Sequence, residues 1–179
     1  MKFSQHSLKT NNRHLRAGFT LIEMVVVIAM IAILAGLSIG GFRWWSQKSA
    51  EDKTDLLFRE VGRSLESYYK DYGTYPQSTT ANDASTIILY ESLFGDADHD
   101  GKPDDGATVY LESLDPDRKG SARMVTEIAN KYVLIDGWNN PIYYLSGAPA
   151  ADMNNPDYDL WSKGLDTANG ETSDDIRNW

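Results

Sequence analysis

The sequence predicts an α+β fold in which one long N-terminal helix packs on a small antiparallel β-sheet. Three observations support this prediction. A run of 19 uncharged residues covers positions 24–42, an amphipathic helical pattern continues to position 72, and short apolar segments separated by turn residues follow in the second half. The uncharged run is typical of a long apolar helix, the second pattern has the period of an amphipathic helix, and the third is typical of strands. We therefore expect a helical first part and a compact second part.

Length and composition limit the class of protein. A chain of 179 residues can hold one ordinary domain, or a small domain with an appendage. It contains no cysteine, which excludes disulfides, thiolate zinc sites and cysteine nucleophiles. Its formal net charge of −9 offers no basic face to phosphates, so we expect no nucleic-acid partner.

The first 42 residues combine a basic leader with an apolar segment. Residues 1–18 carry four cations and no acid, and residues 24–42 would form a helix of ~29 Å, close to the thickness of a bilayer core. The basic flank predicts a single membrane pass with a cytoplasmic N-terminus and an exported C-terminal part. A signal peptide fits less well, because the run is long and lacks a small-x-small cleavage site. A plain signal anchor leaves Glu23 unexplained, since an acid inside an apolar span costs roughly 2.5–3.5 kcal/mol.

A processing motif accounts for these features. The basic leader ends in Gly18, Phe19 follows, and Glu23 would be the fifth residue of the product before an uninterrupted apolar helix. This arrangement resembles the processing site of type IV prepilins and type II secretion pseudopilins. The resemblance implies that a prepilin peptidase cleaves between Gly18 and Phe19 and that Phe19 becomes N-methylated. Cleavage would leave 161 residues, and the loss of four cations would lower the net charge to −13.

Glu23 then has an expected role in assembly. In a filament whose apolar helices pack side by side, its carboxylate can pair with the new amino terminus, at Phe19, of a neighbouring copy. A buried charge is costly when unpaired, whereas a buried pair can set the register of two subunits. We therefore expect self-association into a homopolymer.

The remaining elements follow from periodicity and turn residues. Residues 20–72 read as one helix, with a stripe that ends in two tyrosines and is expected to lie in the core: Leu57, Val61, Leu65, Tyr68 and Tyr72. Gly73 and Pro76 mark its end. A weaker helical pattern covers 81–94. Residues 131–135 and 142–145 read as a pair of strands around a turn at 136–141, and 158–162 reads as a third strand.

Three further segments resemble one branch of the same family. The hairpin 134–144, which contains the turn Asp136-Gly137-Trp138-Asn139-Asn140-Pro141, the segment 68–76 and the Asp-rich ending at 158–166 and 174–179 resemble the major, G-type pseudopilins of type II secretion. The resemblance implies a pilin-like fold, an inner-membrane subunit with a periplasmic C-terminal domain, and four domain segments: a leader at 1–18, an assembly helix at 19–42, an amphipathic helix at 43–76 and a globular part at 77–179. Its implied partners are minor pseudopilins, the peptidase, an inner-membrane platform and a secretion ATPase.

The same resemblance implies calcium in the C-terminal loop, residues 163–175. Carried over by position, the carboxylates would come from Asp166, Asp174 and Asp175, and backbone carbonyls near Lys163 and Thr172 would complete the shell. The chemistry is suitable, because calcium takes 6–8 hard oxygen ligands. The alternative is a solvated ending to the chain.

A second acidic loop, residues 96–106, lies outside the family pattern. Asp96, Asp98 and Asp100 occupy positions 1, 3 and 5 and Gly101 position 6 of a loop that resembles the first half of an EF-hand. Position 12 is not a glutamate, and Asp104 or Asp105 is the expected substitute. His99 falls between the ligand positions and is not expected to bind metal. Calcium binding and a solvated acidic turn both remain open for this loop.

No catalytic constellation occurs in the sequence, so we expect a structural subunit and not an enzyme. The expected function is polymerisation into the periplasmic pseudopilus of a type II secretion system, which supports the export of folded proteins. A type IV pilin or a minor pseudopilin is the nearest alternative. A membrane-anchored, calcium-dependent binding module is the alternative of another class.

Overall fold

The computed structural model describes residues 18–165 and 175–179, with the backbone alone at 38–41, 43 and 121. The chain divides into two compact units, Met1–Phe42 and Arg43–Trp179. Within the described residues, the α-helices are α1 (Leu21–Tyr72) and α2 (Ile87–Phe94), and the strands are β1 (Val125–Ile128), β2 (Lys131–Leu134), β3 (Tyr143–Leu145), β4 (Asp159–Ser162) and β5 (Ile176–Arg177). Short 3₁₀ helices lie at Glu112–Leu114, Gly120–Ala122 and Ala150–Asp152. The predicted α+β, pilin-like class is confirmed.

Helix α1 has the predicted bounds to within one residue. It begins at Leu21 and ends at Tyr72. Gly73 follows with a φ of 73°, and its N–H donates to the carbonyl of Tyr69 at 2.7 Å, which closes the last turn. A left-handed residue costs glycine little, so glycine is well suited to end a helix here.

In the first unit, every described large apolar side chain from Phe19 to Leu37 is exposed. Within the described residues, no helix satisfies both the length and the apolarity needed to cross a membrane. The membrane span expected at 19–42 stays a prediction.

The core of the second unit forms between α1, α2 and the strands. Leu57, Val61 and Leu65 are fully buried, as their spacing predicted. They pack in one cluster with apolar side chains of α2, the sheets and the segments that connect them, among them Leu89, Tyr90, Leu93, Leu114, Leu134, Ile142, Tyr144 and Leu160. The prediction for Tyr72 is wrong. Its side chain is 60% exposed and stacks on the partly buried Tyr68, with ring centroids 4.4 Å apart.

The strand pairing differs from the predicted hairpin. β2 pairs with β1, an antiparallel partner that the sequence analysis did not predict. β3 pairs with β4, and β4 with the two-residue β5. The two predicted partner strands pair only next to the turn, through a bridge between Ile135 and Pro141. The strands then diverge into a two-stranded and a three-stranded sheet.

Asp136 organises the turn between β2 and β3, and we call residues 136–141 the Asp136 turn. Its carboxylate is buried and accepts hydrogen bonds from the backbone N–H of Trp138 at 2.9 Å and of Asn140 at 2.8 Å. It also accepts from the hydroxyl of Ser162 in β4, at 2.7 Å. One carboxylate therefore shapes the turn and ties it to the second sheet.

The Asp136 turn lies directly against α1. A Cβ atom built on Gly137 would lie 2.1 Å from the carbonyl oxygen of Ala50. Beside this contact, the hydroxyl of the buried Thr54 donates to that carbonyl at 2.9 Å and accepts from the N–H of Gly137 at 2.9 Å. Only glycine permits this approach of turn and helix.

Helix α2 is shorter than predicted, because residues 82–85 form a turn in which Asn82 caps Ala84 and Ser85. The hydroxyl groups of Ser85 and Thr86, which precede the helix, bind backbone N–H groups of the two sheets. Ser85 accepts from the N–H of Tyr144, and Thr86 accepts from the N–H of Leu134, both at 3.0 Å. The helix ends with a C-cap at Gly95, which has a φ of 82° and donates its N–H to the carbonyl of Glu91.

Candidate functional sites

The first candidate site is the start of α1. Glu23 accepts hydrogen bonds from the N–H of Thr20 at 2.8 Å and from its hydroxyl at 2.9 Å. In return, the hydroxyl of Thr20 accepts from the N–H of Glu23 at 3.3 Å. This reciprocal pattern is a capping box, in which two residues three apart satisfy each other's backbone donors at a helix N-terminus. Thr-x-x-Glu before an apolar run is the sequence signature of this box, and the role expected for Glu23 did not include it.

The residues of the predicted cleavage site precede this cap. Gly18 has open space around the position of an added Cβ, and Phe19 is 79% exposed. A larger residue at position 18 would therefore meet no obstacle within the described chain.

The second candidate site is the acidic loop, residues 96–106, which begins after the Gly95 cap. Asp96 is fully buried. One of its oxygens accepts from the hydroxyl of Tyr90 at 2.6 Å and from the N–H of Gly101 at 2.9 Å, and the other accepts from the N–H of Asp100 at 3.1 Å. Burial raises the pKa of Tyr90, and the hydrogen bond from its hydroxyl to Asp96 raises it further, so this hydroxyl stays a donor at neutral pH. Asp96 is thus held rigidly, and one oxygen retains acceptor capacity.

Three of the five predicted carboxylates converge in this loop. Oxygen atoms of Asp96, Asp98 and Asp104 all lie within 4.8 Å of one another. Asp100 and Asp105 are not part of this group; a carboxylate oxygen of Asp100 accepts from the N–H of Lys102 at 2.8 Å. Three carboxylate oxygens at this separation are hard ligands of the kind that calcium prefers.

His99 has another role. Its Nδ1 accepts from the N–H of Tyr132 at 3.0 Å, so in the neutral ring Nε2 carries the proton and donates to Glu91 at 2.9 Å. The imidazole is 2% exposed and lies against the rings of Tyr90 and Tyr132. It anchors the acidic loop to α2 and β2.

The third candidate site is the C-terminal loop, residues 163–175. Asp166, Thr172 and Asp174 lie outside the described residues. At the two ends of the loop, Asp175 pairs with Arg177 at 2.5 Å, and the ammonium of Lys163 lies 4.5 Å from the ring centroid of Tyr143. The amide of Asn140 donates to the carbonyl of Gly164 at 2.9 Å, which ties the Asp136 turn to the start of this loop.

Comparison with known proteins connects the first site to a family. The family model of the prokaryotic N-terminal methylation motif matches residues 13–39. The chain is 27% identical to the type II secretion system core protein G of Aeromonas hydrophila over 164 residues, which are 92% of each chain. It is 31% identical to a type IV major pilin protein PilE1 of Neisseria gonorrhoeae over 71 residues, which are 40% of this chain and 33% of the pilin.

The extent of these matches separates the two kinds of relative. The chain spans less than half the length of the pilins and fimbrial proteins that it matches. Against core protein G the match covers the globular part as well. No solved structure matches. The resemblance to type II secretion pseudopilins that the motifs indicated is confirmed.

Proposed function

We propose that the chain is a structural subunit that polymerises into the periplasmic pseudopilus of a type II secretion system and supports the export of folded proteins. The observation that carries the proposal is the match to core protein G along 92% of both chains, because the match to the pilin PilE1 covers only 40% of this chain. A type IV pilin or a minor pseudopilin is the alternative within the same family.

In this proposal the start of α1 performs two successive tasks. A prepilin peptidase cleaves between Gly18 and Phe19 and methylates the new terminus, and the carboxylate of Glu23 then pairs with the terminus of a neighbouring copy. Residues 19–42 anchor the subunit in the inner membrane until it is added to the filament. Minor pseudopilins, a platform protein and a secretion ATPase are the further proposed partners.

Processing is tested by mass spectrometry of the full-length chain extracted from membranes. We expect the wild type to lack residues 1–18 and to carry one added methyl group, and Gly18→Val to keep its leader, because the scissile bond requires a residue without a side chain. Gly36→Ala is the matched control, since its site also has open space for a Cβ but lies beyond the cleavage motif. A trimmed Gly18→Val product would refute the assignment. An untrimmed wild type would favour a membrane-anchored calcium-binding module.

The secretion role needs a separate assay. In the source bacterium, deletion of the gene should leave folded exoproteins in the periplasm, and the wild-type chain should restore their export. Restored surface pili with unchanged secretion would assign the chain to the type IV pilins instead.

We further propose that calcium stabilises the subunit. Three oxygen donors in the acidic loop fit a hard cation, and the predicted C-terminal set, Asp166, Asp174 and Asp175 with the carbonyls near Lys163 and Thr172, has the same donor chemistry. Bound calcium would neutralise clustered carboxylates. The protein's own contribution is the rigid placement of Asp96, which is held by Tyr90 and two backbone donors.

The two loops are distinguished by thermal melts of the full chain in detergent, with calcium and with chelator. A ligand at a hundredfold excess over its dissociation constant stabilises by ~2.7 kcal/mol, which raises the melting temperature of a chain of this size by roughly 5–10 °C. Asp174→Ala should abolish most of the shift, and Asp98→Ala only the share of the acidic loop. Asp55 is an exposed acid on α1, so Asp55→Ala should leave the calcium-dependent shift in melting temperature unchanged. If Asp98→Ala alone abolishes the shift, the C-terminal assignment is wrong.

A further inference from the structure

A cleft of about 380 Å³ opens on the three-stranded sheet of the second unit. In the register of this sheet Tyr143 lies opposite Trp161, and Trp161 lies opposite Arg177, so these three side chains form one row on one face. Tyr144 and Leu160, their neighbours in sequence, point to the other face and are buried in the core. Trp161 and Arg177 line the cleft from the row, and we call it the Trp161 cleft.

Two indole rings form an apolar corner in the Trp161 cleft. The ring of Trp179 meets that of Trp161 at 70°, with ring centroids 5.8 Å apart, and Trp179 is 43% exposed. The backbone before Trp179 is held in place, because the N–H of Asn178 donates to the carbonyl of Leu160 at 3.1 Å. The side-chain oxygen of Asn178 also accepts from the N–H of Leu160 at 2.8 Å. The exposed ring is therefore positioned before a ligand arrives.

Two exposed polar side chains, of Asp152 and Asn154, line the same cleft. The backbone N–H and the side-chain amide of Asn154 both donate to the carboxylate of Asp159, at 2.7 and 3.1 Å. Asp159 is 1% exposed and also accepts from the N–H of Asn155 at 2.8 Å, so a buried carboxylate sets the orientation of the amide. The amide oxygen of Asn154 and the carboxylate of Asp152 are then acceptors for a ligand, and the second amide hydrogen of Asn154 is a donor.

The charges that line the Trp161 cleft nearly cancel. Three carboxylates, of Asp152, Asp159 and Asp175, and two cations, of Lys163 and Arg177, border it. Asp175 and Arg177 form an ion pair at 2.5 Å. A cationic ligand would meet the two cations and an anionic ligand the three carboxylates, so neither sign of charge is favoured. A wholly apolar ligand would remove these groups from water without giving them partners, which is costly. The lining therefore fits a neutral ligand that carries many hydrogen-bonding groups.

A sugar ring has the two properties that this lining requires. In a glucose-configured ring the hydroxyl groups are equatorial, so both faces consist of C–H groups that can pack on an indole ring. Its hydroxyls lie at the edge, where a carboxylate can accept from two neighbouring hydroxyls and an amide can donate to one and accept from another. The volume of the cleft lies at the lower end of the range for ligand pockets, which suits a short saccharide.

We propose that the Trp161 cleft binds a neutral, glucose-configured sugar unit of a glycan, with Trp161 and Trp179 against the ring and Asp152 and Asn154 bonded to its hydroxyls. Sugar binding at this site requires neither processing nor assembly, because all the residues that line the cleft lie in the second unit. In the proposed filament each subunit would bring one such site. A glycan long enough to reach neighbouring subunits would then bind with avidity.

The test uses the full chain, labelled with ¹⁵N-tryptophan, in micelles of a detergent without a sugar headgroup. The indole N–H signals of Trp161 and Trp179 are identified by their loss in Trp161→Phe and Trp179→Phe. We expect cellotriose and chitotriose, two glucose-configured trisaccharides, to shift both signals and to saturate them. The signals of Trp44 and Trp45, which do not line this cleft, should stay in place.

Two substitutions test the apolar and the polar side of the cleft separately. Trp179→Ala removes the exposed ring, and Asp152→Ala removes an acceptor for two hydroxyls. Each should weaken cellotriose binding about tenfold, the loss expected for a charged hydrogen bond, as measured by the signal of Trp161. Trp44→Ala and Asp157→Ala are the matched controls, since both residues are exposed and neither lines the cleft. Because Asp152 is also exposed, its replacement should leave the thermal melt unchanged.

Three results would overturn the proposal. If neither trisaccharide moves the signals of Trp161 and Trp179, the cleft binds no sugar of this class. An equal shift by triethylene glycol at the same concentration would show that the cleft does not select a sugar ring from other neutral hydrogen-bonding molecules. A shift by trialanine without a shift by the trisaccharides would assign the cleft to a peptide instead.

Discussion

Asp136 is a buried carboxylate with a structural role in the turn. Three donors hold it, two from the backbone of the Asp136 turn and one from Ser162. These hydrogen bonds lower the pKa of Asp136, but burial has the larger effect and raises this pKa above that of an ordinary carboxyl group. Between the ordinary value, near 4, and the raised value, the folded chain therefore binds a proton that the unfolded chain has lost.

This proton uptake predicts the pH dependence of one substitution. Because the folded state binds more protons in that window, the contribution of Asp136 to stability falls as pH rises from about 4, and it levels off above the raised pKa. Asp136→Asn cannot ionise. The free energy of unfolding of the wild type, minus that of Asp136→Asn, should therefore decrease with pH across the window.

Chemical denaturation of both full chains at a series of pH values measures this difference. Ser162→Ala removes a hydrogen bond that lowers the pKa of Asp136, so it should extend the window to higher pH. A difference that stays constant between pH 3.5 and 7 would contradict the argument, with those limits chosen about the ordinary carboxyl pKa.

At the scale of elements, the contact between α1 and the Asp136 turn depends on one glycine. Gly137→Ala would place a methyl group 2.1 Å from the carbonyl oxygen of Ala50, and a helix backbone cannot yield as a side chain can. We expect a loss of ~3 kcal/mol in the free energy of unfolding, at the upper end of overpacking costs. Thermal melts of the full chain in detergent would measure it.

Gly62→Ala is the control for that experiment, because it also adds a methyl group to an interface of α1. There the nearest atom is the side-chain hydroxyl of Tyr158 at 3.3 Å, which can move. Alanine also favours a helix interior by about 1 kcal/mol over glycine. Gly62→Ala should therefore be neutral or stabilising, and an equal loss in both variants would show that backbone contact is not the cause.

The helices could be predicted from the sequence more fully than the sheets. The period of α1 and its stop at Gly73 are local signals, and both were confirmed. Strand pairing depends on residues far apart in the chain, and here Ser85, Thr86 and Asp136 direct it by side-chain hydrogen bonds that no periodicity reveals. β5 has only two residues, too few to carry an alternating pattern.

In the candidate sites, too, local motifs could be predicted from the sequence, whereas features that depend on the path of the chain could not. Asp96 and Asp98 were predicted because the first half of their loop is a contiguous turn motif. Asp104 was one of two choices, since the path of the chain after Gly101 decides which carboxylate returns to the group. Tyr72 was placed in the core by spacing alone, yet its side chain is 60% exposed at the last turn of α1.

At the scale of the whole molecule, net charge and assembly oppose each other. With the proposed processing, a subunit of net charge −13 would repel its copies, and salt would screen this repulsion over about 8 Å at physiological ionic strength. Close packing of apolar helices therefore needs specific pairing at their ends. Glu23 is the acid in the segment 19–42, and its carboxylate already has a second task within its own chain, the cap with Thr20.

Two substitutions separate these tasks of Glu23. Glutamine at this position preserves a capping box, because its amide oxygen still accepts from Thr20, but it carries no charge for a neighbour's amino terminus. Valine at position 20 has the opposite effect, since it removes the hydroxyl of the cap and leaves the carboxylate. Glu23→Gln should therefore insert into membranes as well as the wild type, or better, and yet form no filaments, whereas Thr20→Val should still polymerise. Glu23→Ala, which lacks both functions, should also insert without assembling.

Electron microscopy of assembled filaments, together with the membrane-bound fraction of each variant, measures both tasks. Normal filaments from Glu23→Gln, with loss of filaments in Thr20→Val, would show that the cap and not the charge pair sustains assembly.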